Sequence, residues 1–190
     1  TGKIISLHLI TEAEQRWSET PDTGPLHLGV DVAGESEIGD ETVFCARRGW
    51  KAYPLLAFRA LTEDAIVVNT LGILGQHRTR RESPPVVTID REGRIGYNVW
   101  IKLRAIQERD TKAFTLVGVR ASDKASRQPH LYDRARDELW ANLAQWLREG
   151  GAIPEDAKLE KELHAPAWIQ HTVNGRNKAT PKVELKKALG

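Results

Sequence analysis

Two short apolar runs in this chain each close on an aspartate, and that pairing constrains the fold more than any other feature. The first is Leu28-Gly29-Val30-Asp31-Val32-Ala33-Gly34-Glu35, with Gly39-Asp40-Glu41-Thr42 just beyond it. An apolar run, a carboxylate, a glycine-bearing loop and a β-branched resumption at Thr42-Val43-Phe44 predict a buried strand, a turn and an antiparallel partner. The second is Pro85-Val86-Val87-Thr88-Ile89-Asp90, followed by Gly93, Gly96 and a helical pattern. If the two strands are neighbours, Asp31 and Asp90 meet at one end of a sheet, where they repel unless a divalent cation lies between them.

The rest of the chain supplies the sheet. Strands are expected at about Leu26–Val32, Glu41–Arg48, Tyr53–Ala60, a fourth ending on Asp90, and a fifth at about Ala113–Val119. Short connections join the first three, which argues for an antiparallel meander. Thr62-Glu63-Asp64 reads as a helix cap with acids in the first turn, before Ile66, Val67, Leu71 and Leu74. A second helix is expected over about Gly96–Arg109 and a third over about Asp133–Glu149, where Gly150-Gly151 ends it. Thr11-Glu12-Ala13-Glu14 has the form of a capping box, predicting a short helix to Trp17. Residues 1–25 read as a lead-in or linker, and 26–190 as one domain. Glu155–Leu163 reads as a short helix, Trp168–Lys178 as a hairpin around Asn174-Gly175, and a last helix starts near Pro181. Strands separated by helices are parallel with right-handed crossovers. The expected fold is therefore α/β, a mixed five-stranded sheet in the order 3-2-1-4-5 with helices on both faces, the ribonuclease H-like arrangement. Ligand sites in open α/β sheets lie at the carboxyl ends of such strands. A nucleotide-binding α/β domain fits the same string of elements.

Composition narrows the classes. At 190 residues the chain suffices for one domain with a full core. A net charge of +2 is no argument for a nucleic-acid partner, although Gln76–Arg81 and Asn174–Lys178 with Lys182, Lys186 and Lys187 are locally basic. The single cysteine, Cys45, falls in a predicted strand and reads as a small core residue. The six histidines have no ligand spacing and no cysteine beside them, which argues against zinc. No apolar run is long enough to span a bilayer. A chain that opens on Thr1 and contains no methionine is expected to be a segment of a longer polypeptide.

The ordered motifs resemble the nuclease domain of the large terminase subunit of tailed double-stranded DNA phages. Leu28–Val43 is similar to the first acidic motif and Val87–Val99 to the second. The segments LYDRARDELWANLAQWLREG, EDAKLEKEL and NGRNKATPKVELKKALG resemble those leading to the end of that domain. The likeness runs from Leu26 over nearly the whole chain. It implies a metal-dependent endonuclease that cuts concatemeric phage DNA during genome packaging in the host cytoplasm. An ATPase domain would lie N-terminal to it, and the portal or small terminase subunit would be partners. Asp31 and Asp90 match the first two metal-binding acids, Asp31 as the bridging ligand of two Mg²⁺ or Mn²⁺ ions. The family's third acid follows a segment like Leu185–Gly190, so its counterpart is expected beyond Gly190. Glu35 and Asp40 are accessory candidates, and Asp133 or Glu138 are stand-ins for the third acid.

The chemistry suits the donors. Two divalent ions about 4 Å apart can activate water, relieve phosphoryl charge and assist the leaving alkoxide. Hard ions such as Mg²⁺ and Mn²⁺ prefer oxygen ligands. Arg91, Arg94, Lys102 and Arg104 flank the acids and are candidates for phosphate contacts to double-stranded DNA. Gly93 and Gly96 either cradle a phosphate at a helix start or allow close packing. Trp100, Trp140 and Trp146 lie at helical spacing and read as core. Other readings stay open: a catalytically silent module binding DNA or a packaging partner, a Holliday-junction resolvase-like nuclease, and an actin-like ATPase or sugar kinase, which would need a far longer chain.

Overall fold

A computed structural model of the chain describes residues 2–34, 39–79, 82–170 and 175–189. In chain order the elements are α1 (Leu7–Gln15), β1 (Leu26–Asp31), β2 (Thr42–Arg48), β3 (Lys51–Ala52), β4 (Leu56–Phe58), α2 (Glu63–His77), β5 (Val86–Asp90), α3 (Gly93–Arg109), β6 (Thr115–Val119), α4 (Ala135–Arg148), α5 (Ala157–His164), β7 (Trp168–Gln170), β8 (Asn177–Ala179) and α6 (Lys182–Leu189). They fall into two compact units, Pro21–Arg120 and Thr1–Thr20 with Ala121–Gly190.

The first unit holds a mixed sheet in the order β3-β2-β1-β5-β6, with β4 also paired to β2. β1 and β2 are antiparallel, whereas β1–β5 and β5–β6 are parallel. This is the expected ribonuclease H-like order. The expected third strand is divided in two: β3 and β4 both pair with β2, and between them the Tyr53 N–H still donates to the Ala46 carbonyl of β2 at 2.9 Å before the ladder breaks. Pro54 sits in that gap and has no N–H to give a ladder.

Alternation along the strands sets the core. Leu26, Leu28 and Val30 of β1, Phe44 and Ala46 of β2, and Val87 and Ile89 of β5 are buried in one cluster with Ile66, Val67, Ile73 and Leu74 of α2 and Val99 and Leu103 of α3. Each Val, Leu, Ile or Phe side chain among them contributes roughly 1.5–3 kcal/mol on burial. The α2 start is as expected, with the Thr62 hydroxyl accepting from the Ala65 N–H at 3.2 Å. The odd-numbered residues of β1 and β2, His27, Gly29, Val43, Cys45 and Arg47, take the opposite face and are half-buried. Burial pushes the Cys45 thiol pKa up, which keeps it neutral and fits a packing residue.

The second unit is mainly helical. Residues 1–25, read as a lead-in, carry α1, which starts a turn earlier than the capping-box pattern predicts. Ser6 is its cap, accepting from the Leu9 N–H at 3.2 Å, so Thr11 and Glu14 lie inside the helix. Burial explains the shift, because Ile10 and Ala13 are fully buried on one side of the helix and the turn before Thr11 is needed to present Ile10. β7 and β8 form the expected hairpin, pairing Trp168 with Ala179. Its turn at Asn174 lies outside the described residues, as does Glu35. Among the described residues no helix is long and apolar enough to cross a membrane.

Candidate metal centre

The parallel ladder of β1 and β5 runs in register from His27↔Val86 to Val30↔Ile89. One further step along each strand reaches Asp31 and Asp90. Neighbouring strands lie about 4.8 Å apart, and residues at matched positions of a parallel pair point to the same face. Val30 and Ile89 are buried, so the next residues turn away from the aliphatic core. Asp31 is exposed and Asp90 half-buried. The two expected acids are thus brought together at the carboxyl ends of adjacent parallel strands.

Local contacts fix both strand ends. After Asp31, the Ala33 N–H donates to the Thr42 hydroxyl at 3.0 Å, and Thr42 is 1% exposed. That bond ties the loop leaving β1 to the first residue of β2. After Asp90, its Oδ1 accepts from the Glu92 N–H at 2.9 Å, a turn that directs the chain into α3. Gly96 lets the first turn of α3 press on the strand end: a Cβ there would lie 2.5 Å from the Asp90 carbonyl oxygen. Close packing therefore accounts for Gly96, and Gly93 is a turn residue at φ +72°.

The flanking cations divide by what they touch. Lys102 bonds Asp64 at 2.7 Å and Glu63 at 3.2 Å, joining α3 to the start of α2. Arg94 lies 4.0 Å from Glu63 with its side chain 79% exposed. Asn98 donates to Glu63 at 2.8 Å, and with Lys102 and Arg94 holds the Glu63 pKa below the usual carboxylate range. Arg104 pairs with Glu108 at 2.8 Å. Arg91 instead lies over the Trp100 ring, its Cζ 5.3 Å from the centroid, while the Arg104 Cζ is 5.4 Å from the same centroid. Trp100 packs against the core, as expected, but also forms this cation–π group, which the sequence reading missed. The i,i+4 spacing of Trp100 and Arg104 was a readable signal. Nothing local announces Arg91.

Asp40 is exposed, two residues before β2. Among the described residues, no group of three or more His, Cys, Asp or Glu side chains could hold a metal ion. Glu138 is occupied otherwise: its carboxylate accepts from the N–H groups of Ser126, Arg127 and Gln128. Asp133 lies 3.5 Å from Arg134 and 3.7 Å from Arg176.

At the other end of β1, a cavity of about 480 Å³ is lined by Asp22, Arg48, Tyr53, His77 and Glu82, among others. Arg48, 6% exposed, pairs with Glu82 at 2.7 Å and donates to the Gly24 carbonyl at 3.1 Å. Bonding to Arg48 lowers the Glu82 pKa to about 2, while burial and the Asp22 bond raise Tyr53 to about 12. Arg48 thus bonds both to Glu82 and to the chain just before β1, at the end of the sheet away from Asp31.

No protein-family model matches the chain, and no curated protein sequence does. Solved structures do. The nuclease domain of the large terminase subunit gp2 of bacterial virus Sf6 superposes with a TM-score of 0.73 at 14% identity, over 99% of this chain and 92% of that one. A mutant of that domain with manganese and beta-thujaplicinol gives 0.75 at 13% identity over the same shares. The large terminase nuclease from thermophilic phage G20c with bound cobalt gives 0.56 at 18% identity, over 87% of this chain and 78% of that one. At such identities the likeness is one of fold.

Proposed function

We propose that this chain is the divalent-metal-dependent endonuclease domain of a phage large terminase subunit, cutting concatemeric double-stranded DNA during genome packaging in the host cytoplasm. The observation that carries the reading is the adjacent placement of Asp31 and Asp90 at the carboxyl ends of two parallel strands, in a fold shared with terminase nucleases. Residues 26–190 would form the nuclease domain. An ATPase domain elsewhere in a longer polypeptide, with the portal or small terminase subunit, would deliver the DNA.

The donor set fits a hard cation. Carboxylate oxygens on one face of the sheet suit Mg²⁺ or Mn²⁺ over softer ions. Asp31 and Asp90 would hold the metal, with Glu35, Asp40 or an acid beyond Gly190 completing the set. When bound, such ions supply a nucleophilic water and neutralise charge on the phosphoryl oxygens. The chain's own residues do the positioning. Thr42 anchors the loop leaving Asp31. The turn bond to Glu92 leaves the second oxygen of Asp90 for a ligand.

The test is nicking of supercoiled plasmid in Mn²⁺ by the wild type, Asp31→Ala and Asp90→Ala, repeated in a chain extended past Gly190. Cutting lost in both variants is the expected result. Intact DNA binding with no cutting in either length would replace the nuclease with a silent binding module.

A further inference from the structure

The ladders that hold β1 run out at its acid. Pairing with β5 ends at Val30↔Ile89, and pairing with β2 ends one residue later, at Asp31↔Val43. The next antiparallel positions would set Val32 opposite Thr42 and Ala33 opposite Glu41, but the ladder stops short of them. Asp31 is therefore the last residue of the strand, and the ladder holds it from the β2 side alone.

A side chain takes over where the ladder fails. The Ala33 N–H donates to the Thr42 hydroxyl at 3.0 Å, which closes the loop between the two strands at its neck. Thr42 is 1% exposed and Ala33 8%, so the bond lies in the core. On its far side Thr42 is paired with Phe58 of β4. It alternates in step with Phe44 and Ala46, which face the apolar cluster. A valine has a similar shape and would pack there with no hydroxyl to desolvate. The hydroxyl is accounted for by the N–H it accepts, which would otherwise be left buried and unpaired. Asp31 lies two residues before this neck, and Asp40 lies within the loop it closes.

We infer that Thr42 is a positioning residue for the metal centre: its hydroxyl fixes the backbone leaving Asp31 and so sets how tightly the Asp31 carboxylate holds a divalent cation. The inference rests on the reading of Asp31 as a metal ligand and adds a residue that touches neither metal nor DNA. A ligand whose backbone is loose must be ordered as the cation binds, which lowers affinity. A ligand already held by its surroundings avoids that loss.

Binding of Mn²⁺ without DNA, read from the paramagnetic resonance signal of the free ion, tests this apart from cutting. Thr42→Val removes the hydroxyl and keeps the shape, and is expected to weaken Mn²⁺ binding about tenfold. Thr42→Ser keeps the hydroxyl and loses a buried methyl. It is expected to lower Tm yet bind Mn²⁺ within about twofold of wild type. A purely structural role predicts another pattern, with affinity following Tm rather than the hydroxyl. Wild-type affinity in Thr42→Val overturns the inference, as does a loss in Thr42→Ser as large as that in Thr42→Val. Should Thr42→Val fail to fold, Thr42→Ser is compared with Thr42→Ala, which differ by the hydroxyl alone. The alanine variant is expected to bind about tenfold more weakly, and equal affinity overturns the inference. Asp31→Asn separates this result from the metal reading. Affinity lost in Asp31→Asn but kept in Thr42→Val leaves the metal centre and removes Thr42 from it. Affinity kept in Asp31→Asn removes the metal ligand itself, and the inference with it.

Discussion

Asp31 and Asp90 in the sheet unit, and Asp137 and Glu138 in the helical unit, are all acids at the ends or starts of regular elements, yet they differ in their exposure to water. Asp137 and Glu138 are 2% and 5% exposed. Asp137 accepts from the N–H groups of Arg134 at 3.0 Å and Ala179 at 2.9 Å, joining the start of α4 to β8. Glu138 gathers three consecutive amides of the loop before α4. Asp31 and Asp90 stand where strands run out toward water, side by side on one face. A carboxylate ringed by amides is a structural clamp. Two carboxylates set side by side repel, and the cation proposed for Asp31 and Asp90 would offset that repulsion.

Substitution should separate the two kinds. Asp31→Asn or Asp90→Asn is expected to lower cutting about a thousandfold while shifting Tm by no more than about 2 °C, because repulsion is relieved as the charge goes. A large fall in Tm would make these acids structural and erase the distinction. Gly96→Ala tests how tightly the strand end is held. Its Cβ would meet the Asp90 carbonyl at 2.5 Å, so a loss of about 2 kcal/mol in stability and about tenfold in cutting per folded molecule is expected. Equal cutting per folded molecule would show that Asp90 needs no such support. Glu138→Gln turns an acceptor oxygen into a donor facing N–H groups and should cost about 2 kcal/mol in urea unfolding, with cutting per folded molecule unchanged.

Glu82 offers a third case, an acid partnered by the side chain of Arg48. Its folded pKa is lowered from 4.5 to about 2. The stabilisation is fully present above the unfolded value and lost as pH falls through the folded one. With a side chain 21% exposed and screening allowed for, about 2 kcal/mol is expected near neutral pH. Urea midpoints of wild type and Glu82→Gln should differ there and converge between pH 4.5 and about 2. A gap independent of pH would assign the effect to shape rather than charge.

The parts legible in the sequence were those governed by local period and strand termini. Alternation at Leu26–Val30 and Val86–Ile89, each run closing on an aspartate, together with the crossover rule, sufficed for the sheet order and for the neighbouring positions of Asp31 and Asp90. Chain order and handedness leave few topologies for such a string. Tertiary contact decided the rest. Only the docking of α3 against β6 brings Arg91, Trp100 and Gly118 together. Only the burial of Ile10 and Ala13 moves the cap of α1 back to Ser6. The same is true of Glu138, whose place in the sequence resembles that of an acid available to a metal until the loop at Ser126–Gln128 folds over it. Periodicity is a property of one element and can be read along the chain. A side chain's partners come from whichever distant segment packs beside it, and that depends on long-range geometry no local pattern encodes.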